Sequence, residues 1–407
     1  MNKNPAPLFL AEHILSMTAY WVCTGPVLAK LTEYLALPLG VSNMITQLTS
    51  TLLMLQLVGG AWYGRTRHRR RYLMASNLTW RVCLALTCFT VLLPQGVGGM
   101  AMAVLFLGAQ IAFQLCSPAQ TAWQINAVDG KVDASFYTRR ETWFMAVYTL
   151  FMCVAELLVA LTDTQAELQR SFMWIGGIIT VLLAAATRLL PRLPAPEAVG
   201  SAILLRALTA PLRSVGFRRV VVAGTLWSLS NVFVSSLANL YAVRILQMDF
   251  FAVMLWSTLG NLLRAAFTPP AARMAERIGW RKTLTVYIVL ALVLALGWWR
   301  ITPDTAAILY PVLTLLGSIP VGALSLGLFR LQVQHSPAAT RSVYFSANSA
   351  VSGTVCLAGA SVCSALIETI DRGSLPFGIN SLFLVGAALM AATILSVWRL
   401  PQSKSDT

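Results

Sequence analysis

The chain has 407 residues, 57% of them hydrophobic and only 11% charged, with a mean hydropathy of +0.70. Soluble domains carry far more charge, so there is too little polar surface here to coat a water-soluble fold, and a bilayer is the implied solvent. The net charge of +15 does not point to nucleic acid, because the basic residues stand in short clusters between apolar runs rather than in a stripe interleaved with aromatics.

A helix crossing the ~30 Å hydrocarbon layer needs about 20 apolar residues, and such stretches follow one another along the chain. In the first half they fall at 8–31, 41–63, 72–93, 98–123, 143–161 and 172–190. After a basic, proline-bearing stretch come 220–243, 250–272, 283–301, 306–328, 343–367 and 375–397. The expected organisation is an N-terminal six-helix bundle over 1–190, a cytoplasmic central loop over 191–217 and a C-terminal six-helix bundle over 218–407. Glu12 and His13 interrupt the first apolar stretch, and no small-residue cleavage site follows Lys3, so that stretch reads as a retained helix rather than a signal peptide.

Orientation follows from the loop cations. With a cytoplasmic N-terminus, the inner segments hold Lys3, the Arg65, Arg67, Arg69, Arg70 and Arg71 cluster, Lys131, Arg139, Arg140, Arg188, Arg192, Arg206, Arg213, Arg218, Arg219, Arg273, Arg277, Arg281, Lys282, Arg341, Arg399 and Lys404. The outer segments hold Lys30, Arg170, Arg244, Arg300 and Arg372, an asymmetry of about fourfold that places both termini in the cytoplasm and the chain in the inner membrane. Trp62, Trp143, Trp280, Trp298, Trp299 and Trp398 stand at segment ends and read as interfacial anchors. The seven cysteines lie in apolar runs without metal-ligand or disulfide spacing, so they read as buried small hydrophobes and no metal site is expected.

The loop after the second stretch runs from Gly60 through Gly64, Arg65, Arg67, Arg69 and Arg70. The loop after the eighth runs from Ala272 through Glu276, Arg277, Gly279, Arg281 and Lys282, about half a chain further on. A weaker echo relates Phe136, Tyr137, Arg139 and Arg140 to Arg341, Tyr344 and Phe345. Two echoes in the same order indicate two homologous six-helix halves.

These residues resemble the major facilitator superfamily, whose GxxxDRxGRR signature lies between helices 2 and 3 and is repeated between helices 8 and 9. The second copy keeps the acid as Glu276, with Arg277, Gly279, Arg281 and Lys282. The first keeps Gly60, Arg65, Arg69 and Arg70 but has Gly64 in place of the acid and Arg67 in place of the central glycine. The fold implied by the resemblance is an all-α membrane protein of twelve transmembrane helices in two pseudo-symmetric six-helix bundles. In that fold the motif acts as a cytoplasmic latch: a small residue lets two helices approach, and charge-assisted bonds form and break between two states. The alternative is that the bases only enforce topology.

Ionisable groups within a span are costly and usually face a cavity or a partner. Arg81, Glu156, Arg264 and Arg330 are the candidates, and Glu156 reads as the one acid well inside a span. Two roles stay open for it, a proton-accepting site and an ion pair with Arg264. The resemblance implies a central cavity lined by spans 1, 4, 7 and 10 with help from 2, 5, 8 and 11. Mid-depth polar or aromatic residues on those spans are Tyr20, Trp21, Gln110, Gln114, Trp227, Ser230, Asn231 and Asn261. Each alone reads as ordinary helix packing; together they describe a mixed aromatic and amide lining.

Such a lining suits a small neutral or amphipathic organic solute, while Arg264 or Arg330 would attract an anion; both remain open. No HExxH, GxSxG or P-loop run occurs, so neither an enzyme nor a cofactor is expected and transport would draw on a proton or other ion gradient. The stretch around Glu156 lacks the GxxxGPxxGG run common in drug–proton antiporters of the superfamily, which weakens that assignment without excluding export. The expected function is a monomeric secondary transporter working by alternating access, with the lipid bilayer and a solute as partners. The competing reading is a non-transporting sensor or assembly partner of the same fold, kept open by Gly64.

Overall fold

Lipid offers no partner for an exposed backbone group, so a chain of this composition satisfies its peptide hydrogen bonds within helices. In the computed structural model all regular structure among the described residues is helical. Described are residues 5–24, 26–37, 41–42, 45, 48–49, 52–128, 135–162, 164–196, 210–211, 213–248, 250–372 and 376–400. Lys3, Lys131, Arg206, Lys404, much of the expected central loop and part of the second sequence echo lie outside the described residues.

The first half contains α1 (Ala6–Thr24), α2 (Pro26–Tyr34), α3 (Leu55–Arg65), α4 (Arg69–Thr87), α5 (Gln95–Val128), α6 (Ser135–Ala160) and α7 (Gln165–Leu189). The second contains α8 (Val215–Asn231), α9 (Leu237–Arg244), α10 (Phe250–Ile278), α11 (Trp280–Arg300), α12 (Pro303–Gln334), α13 (Arg341–Asp371) and α14 (Leu382–Trp398). Over the described residues, eight helices are long and apolar enough to cross a membrane, and a ninth span arises if α1 and α2, bent by 44°, are taken together. Pro26 opens α2, where its missing N–H costs nothing.

The remaining rods fall short for visible reasons. Only 11 residues make up α3, which continues a partly described segment. The 17 residues of α8 run into a π turn at Val232–Ser236 before α9 begins. The 29 residues of α10 include Asn261, Arg264, the pair Pro269 and Pro270, and a charged end at Arg273, Glu276 and Arg277. Among the described residues, with α1 joined to α2 and α8 to α9, the helices give six rods in each half, in keeping with the twelve-helix all-α membrane fold expected.

Two compact units result. The first is Met1–Leu208 with Ala338–Ala350; the second is Thr209–Pro337 with Val351–Thr407. In the first unit α1 packs on α6 and α7, and α5 packs on both α3 and α4. Its core is fully buried at Leu84, Cys88, Phe106 and Phe172. In the second, α12 packs on α10 and α11, and α14 on α8 and α11. There Trp298 stacks on Phe383 at 5.6 Å between ring centroids, and Tyr310 meets Trp298 edge-on.

Close helix approach rests on small residues, as it must where lipid supplies no hydrophobic drive between helices. A Cβ added at Gly59 on α3 would stand 2.1 Å from the Leu115 carbonyl oxygen of α5, and one at Gly322 on α12 would stand 2.9 Å from Arg264 and Thr268 side-chain atoms of α10. The outward faces are apolar: Val104, Leu161 and Ile308 are 70%, 72% and 75% exposed. That surface belongs against hydrocarbon.

Candidate functional site

The second unit contains a cavity of about 220 Å³. Its first wall begins with local chemistry on α8. Asn231 donates its amide to the Trp227 carbonyl one turn back, at 2.8 Å, and its side-chain oxygen accepts from Ser235 at 3.1 Å. Side chains that bond the backbone in this way compete with the regular ladder, and the helix widens into the π turn immediately after Asn231. Such turns recur at functional sites because they redirect side chains within an otherwise regular rod. Trp227, Asn231 and Ser235 all line the cavity.

The second wall is Ser257, Asn261 and Arg264 on α10, spaced so that they share one helical face. Opposite them, α12 contributes Thr314, Gly317, Ser318 and Val321, again on one face, while Leu294 and Trp298 come from α11. Small residues keep the space open: a Cβ at Gly260 would lie only 3.4 Å from the Ser318 Cβ. The lining thus combines two amides, several hydroxyls, two indoles and one guanidinium.

Four residues expected from the sequence, Trp227, Asn231, Asn261 and Arg264, therefore meet in one cavity. Ser230 does not join them. It is fully buried, with its hydroxyl on the Trp227 carbonyl and its own carbonyl against Gly386 of α14. Arg330 lies half-buried near the end of α12, 5.8 Å above the Trp280 ring, and does not line this cavity.

In the first unit, Tyr20 of α1 donates to the Gln110 side-chain oxygen at 2.9 Å and stacks on Phe113 at 4.1 Å. Gln56 donates to the Gln114 side-chain oxygen at 2.6 Å, and Gln114 donates to the Thr49 carbonyl at 3.1 Å. Trp21, next to Tyr20 but on another face of α1, is 48% exposed. These polar groups tie α1 and α3 to α5.

Arg81 is buried as expected for a cation within a span, and it has a partner that sequence reasoning missed. Glu12 of α1 forms an ion pair with it, and both side chains are almost wholly buried. Gln120 of α5 donates to the same Glu12 oxygen at 3.1 Å, and Arg81 donates to the Thr187 hydroxyl of α7 at 3.2 Å. Glu156 is thus not the one acid inside a span. It sits half-buried on α6, a turn beyond Cys153, and Arg264 belongs to the other unit. The signal for Glu12 was an acid inside an apolar run, which the sequence reading used only against a signal peptide.

Apart from Gly60, in the middle of α3, the expected latch residues lie at or beside helix ends. Gly60 of α3 faces the first turns of α13, where an added Cβ would meet the Ser346 hydroxyl at 2.1 Å. Beside that contact Arg341 donates to the Asn126 side-chain oxygen at 2.6 Å, and the Asn126 amide donates to the Ala338 carbonyl at 3.0 Å. The start of α13 is therefore part of the first unit although the rest of that helix is not. Arg65 is exposed, Arg69 lies over Tyr63, and Arg70 donates to the Pro191 carbonyl. In the second copy Glu276, Arg277 and Lys282 are exposed, Gly279 takes the left-handed φ of 83° that starts α11, and Arg281 lies 4.5 Å over the Trp398 ring.

Two units of long apolar helices, the second enclosing a polar cavity, define a multi-pass membrane transporter fold. The sequence profile of the Major Facilitator Superfamily matches residues 13–360, and the chain belongs to that family. Among solved structures it is similar to a bacterial homologue of the iron transporter ferroportin in an outward-facing state, with a TM-score of 0.72, 15% identity, and coverage of 97% of this chain and 98% of that one. The fucose:proton symporter FucP of E. coli matches with a TM-score of 0.69 and 12% identity over 98% of this chain and 99% of that one. The proton:xylose symporter XylE matches with a TM-score of 0.71 and 12% identity over 100% of this chain and 98% of that one. No curated protein sequence matches.

Proposed function

We propose that the chain is a secondary transporter that moves a small organic solute by alternating access, and that the solute is neutral or anionic. The observation that carries this reading is the second-unit cavity. Its amides and hydroxyls offer donors and acceptors for a polyfunctional solute, its indoles offer flat apolar faces, and Arg264 sets a positive potential unfavourable to a bare cation. Among the described residues no group of three His, Cys, Asp or Glu is placed to hold a metal ion.

The energy source is a proton gradient, as the names of the FucP and XylE symporters state for those proteins. The buried Glu12–Arg81 pair is the stronger candidate for the coupling group, because both charges lie within spans and are almost wholly removed from solvent. Glu156, half-buried on α6, is the second candidate. The chain acts as a monomer in the inner membrane with both termini cytoplasmic, the side favoured by its loop cations. The Gly60 and Arg341 contacts form the latch on that side. Import and export are both compatible with this scheme.

Proteoliposomes containing the purified protein test the reading with a panel of radiolabelled sugars, polyols, amino acids and carboxylates under an imposed pH gradient. Uptake or release of at least one class, lost in an Asn231→Ala, Arg264→Gln variant, supports it. Gly64 in place of the signature acid favours a second reading, a sensor of the same fold. A solute that binds without measurable flux would establish that alternative.

A further inference from the structure

The turn between α3 and α4 concentrates positive charge where a helix already has it. α4 opens with Arg69, Arg70 and Arg71 and has no acid in its first turn, although the partial positive charge and unpaired N–H groups of a helix N-terminus favour anions. Arg65 in the last turn of α3 and Arg67 in the connecting turn add two more cations. These five arginines, faced by Ala195 and Pro196, surround an open cavity of about 780 Å³.

Two of the arginines are held in place. Arg70 donates to the Pro191 carbonyl at 2.8 Å, and Arg69 lies 5.4 Å over the Tyr63 ring. Arg65, Arg67 and Arg71 are exposed, and no acid lines the cavity among the described residues. Glu197, which follows Pro196 in sequence, lies outside them.

Comparison of the two loop copies explains what is missing. Where the second copy has Glu276, this one has Gly64, and a Cβ at Gly64 would meet nothing within 4 Å. The place of the lost carboxylate is open space beside the cavity. Topology alone needs cations on this loop but no cavity that gathers them.

We propose that this cavity binds a phosphate-bearing anion, which stands in for the carboxylate absent at Gly64. Arginine forks match phosphate oxygens in bidentate pairs. The apolar span of which α4 is the main part begins at Arg69, so the cavity lies at the level of lipid headgroups, and Met74 one turn inward adds an apolar wall. An anionic phospholipid headgroup therefore fits best, and soluble phosphate shares its chemistry.

Native mass spectrometry of the full-length protein in detergent, titrated with phosphatidylglycerol or phosphatidylcholine, tests the site. Thermal unfolding with and without inorganic phosphate distinguishes the two sources. The expected result is a retained phosphatidylglycerol, with apparent affinity falling about tenfold or more in an Arg67→Gln, Arg71→Gln variant. Arg67→Lys, Arg71→Lys, which keeps the charge but loses the forks, should weaken binding less than the glutamine pair does, and an unshifted thermal midpoint in both variants excludes misfolding as the cause. Gly64→Asp should weaken it by supplying an internal counter-ion, and Arg277→Gln, Lys282→Gln, an equal charge change in the other loop, should not. Protection by phosphate equal to that by phosphatidylglycerol would assign the site to a soluble anion. An unchanged anion preference in both the double glutamine and Gly64→Asp variants would overturn the proposal.

Discussion

Glu12 and Arg81 form an ion pair between α1 and α4, with both side chains almost wholly removed from solvent. The pair is completed by Gln120 on the carboxylate and Thr187 on the guanidinium, so it joins four helices of the first unit. Removing one partner leaves the other charge buried, which costs about 3–5 kcal/mol, whereas replacing both by apolar groups is often neutral. Arg81→Met should therefore lower the thermal midpoint strongly, and Glu12→Met, Arg81→Met should recover much of it. If the pair also couples protons, Glu12→Gln should abolish pH-driven solute accumulation while solute exchange persists. Equal pH-driven accumulation in Glu12→Gln and wild type would return the coupling role to Glu156.

Asn231 joins the π turn to the second-unit cavity, because the same amide that bonds Trp227 also lines the space. Asn231→Leu removes the side-chain competition with the backbone and one amide from the lining. Solute affinity should fall about tenfold, the cost of one buried polar contact of about 1.4 kcal/mol, while the fold survives. A binding titration read beside a thermal unfolding curve separates the two effects.

The glycines of α3 should respond in opposite directions to the same substitution. Gly59→Ala drives a methyl into the Leu115 carbonyl and should destabilise the α3–α5 contact. Gly64→Ala meets open space within the same helix, so it should be neutral or stabilise by about 0.5 kcal/mol through reduced chain entropy. Thermal unfolding of the two variants in one detergent decides whether the α3–α5 approach is as close as described.

Asn126 holds both Arg341 and the Ala338 carbonyl, and Ser346 beyond them is fully buried. A cysteine at Ser346 should react slowly with a maleimide in the otherwise native protein. Adding Asn126→Leu removes both hydrogen bonds and should raise the labelling rate several-fold. An unchanged rate would show that the start of α13 is held by the Gly60 packing alone.

Cysteines placed at Arg67 and at Lys282 should label from the same side of the membrane in right-side-out and inverted vesicles. Loop cations set orientation, and both loops follow an even-numbered span. Labelling from opposite sides would break the two-half symmetry on which the transport mechanism rests.

The helical rods, their number and the repeat at the two basic loops were legible in the sequence because each depends on local composition, and lipid leaves helices as the economical answer. Arg81, Trp227, Asn231, Asn261 and Arg264 were legible as polar groups in apolar surroundings. The partnership of Glu12 was not, since an acid six residues into the first helix is as consistent with an interfacial position as with burial; its depth depends on where α4, α5 and α7 pass. The π turn was also hidden, because Asn231 competes with the backbone ladder through contacts at 2.8 and 3.1 Å that no periodicity records.

Sequence by itself determined a polytopic helical membrane protein with two related halves, for the hydrophobic length of each segment and the spacing of its charges act within single helices. Tertiary structure alone decided which of those charges and amides meet. Ser230 turns into the core while Asn231, one residue on, opens into a cavity, and Arg81 finds its partner in Glu12. The reason is geometric: neighbouring positions on a helix point about 100° apart, so whether a polar group meets core, cavity or partner is settled by the helices packed around it.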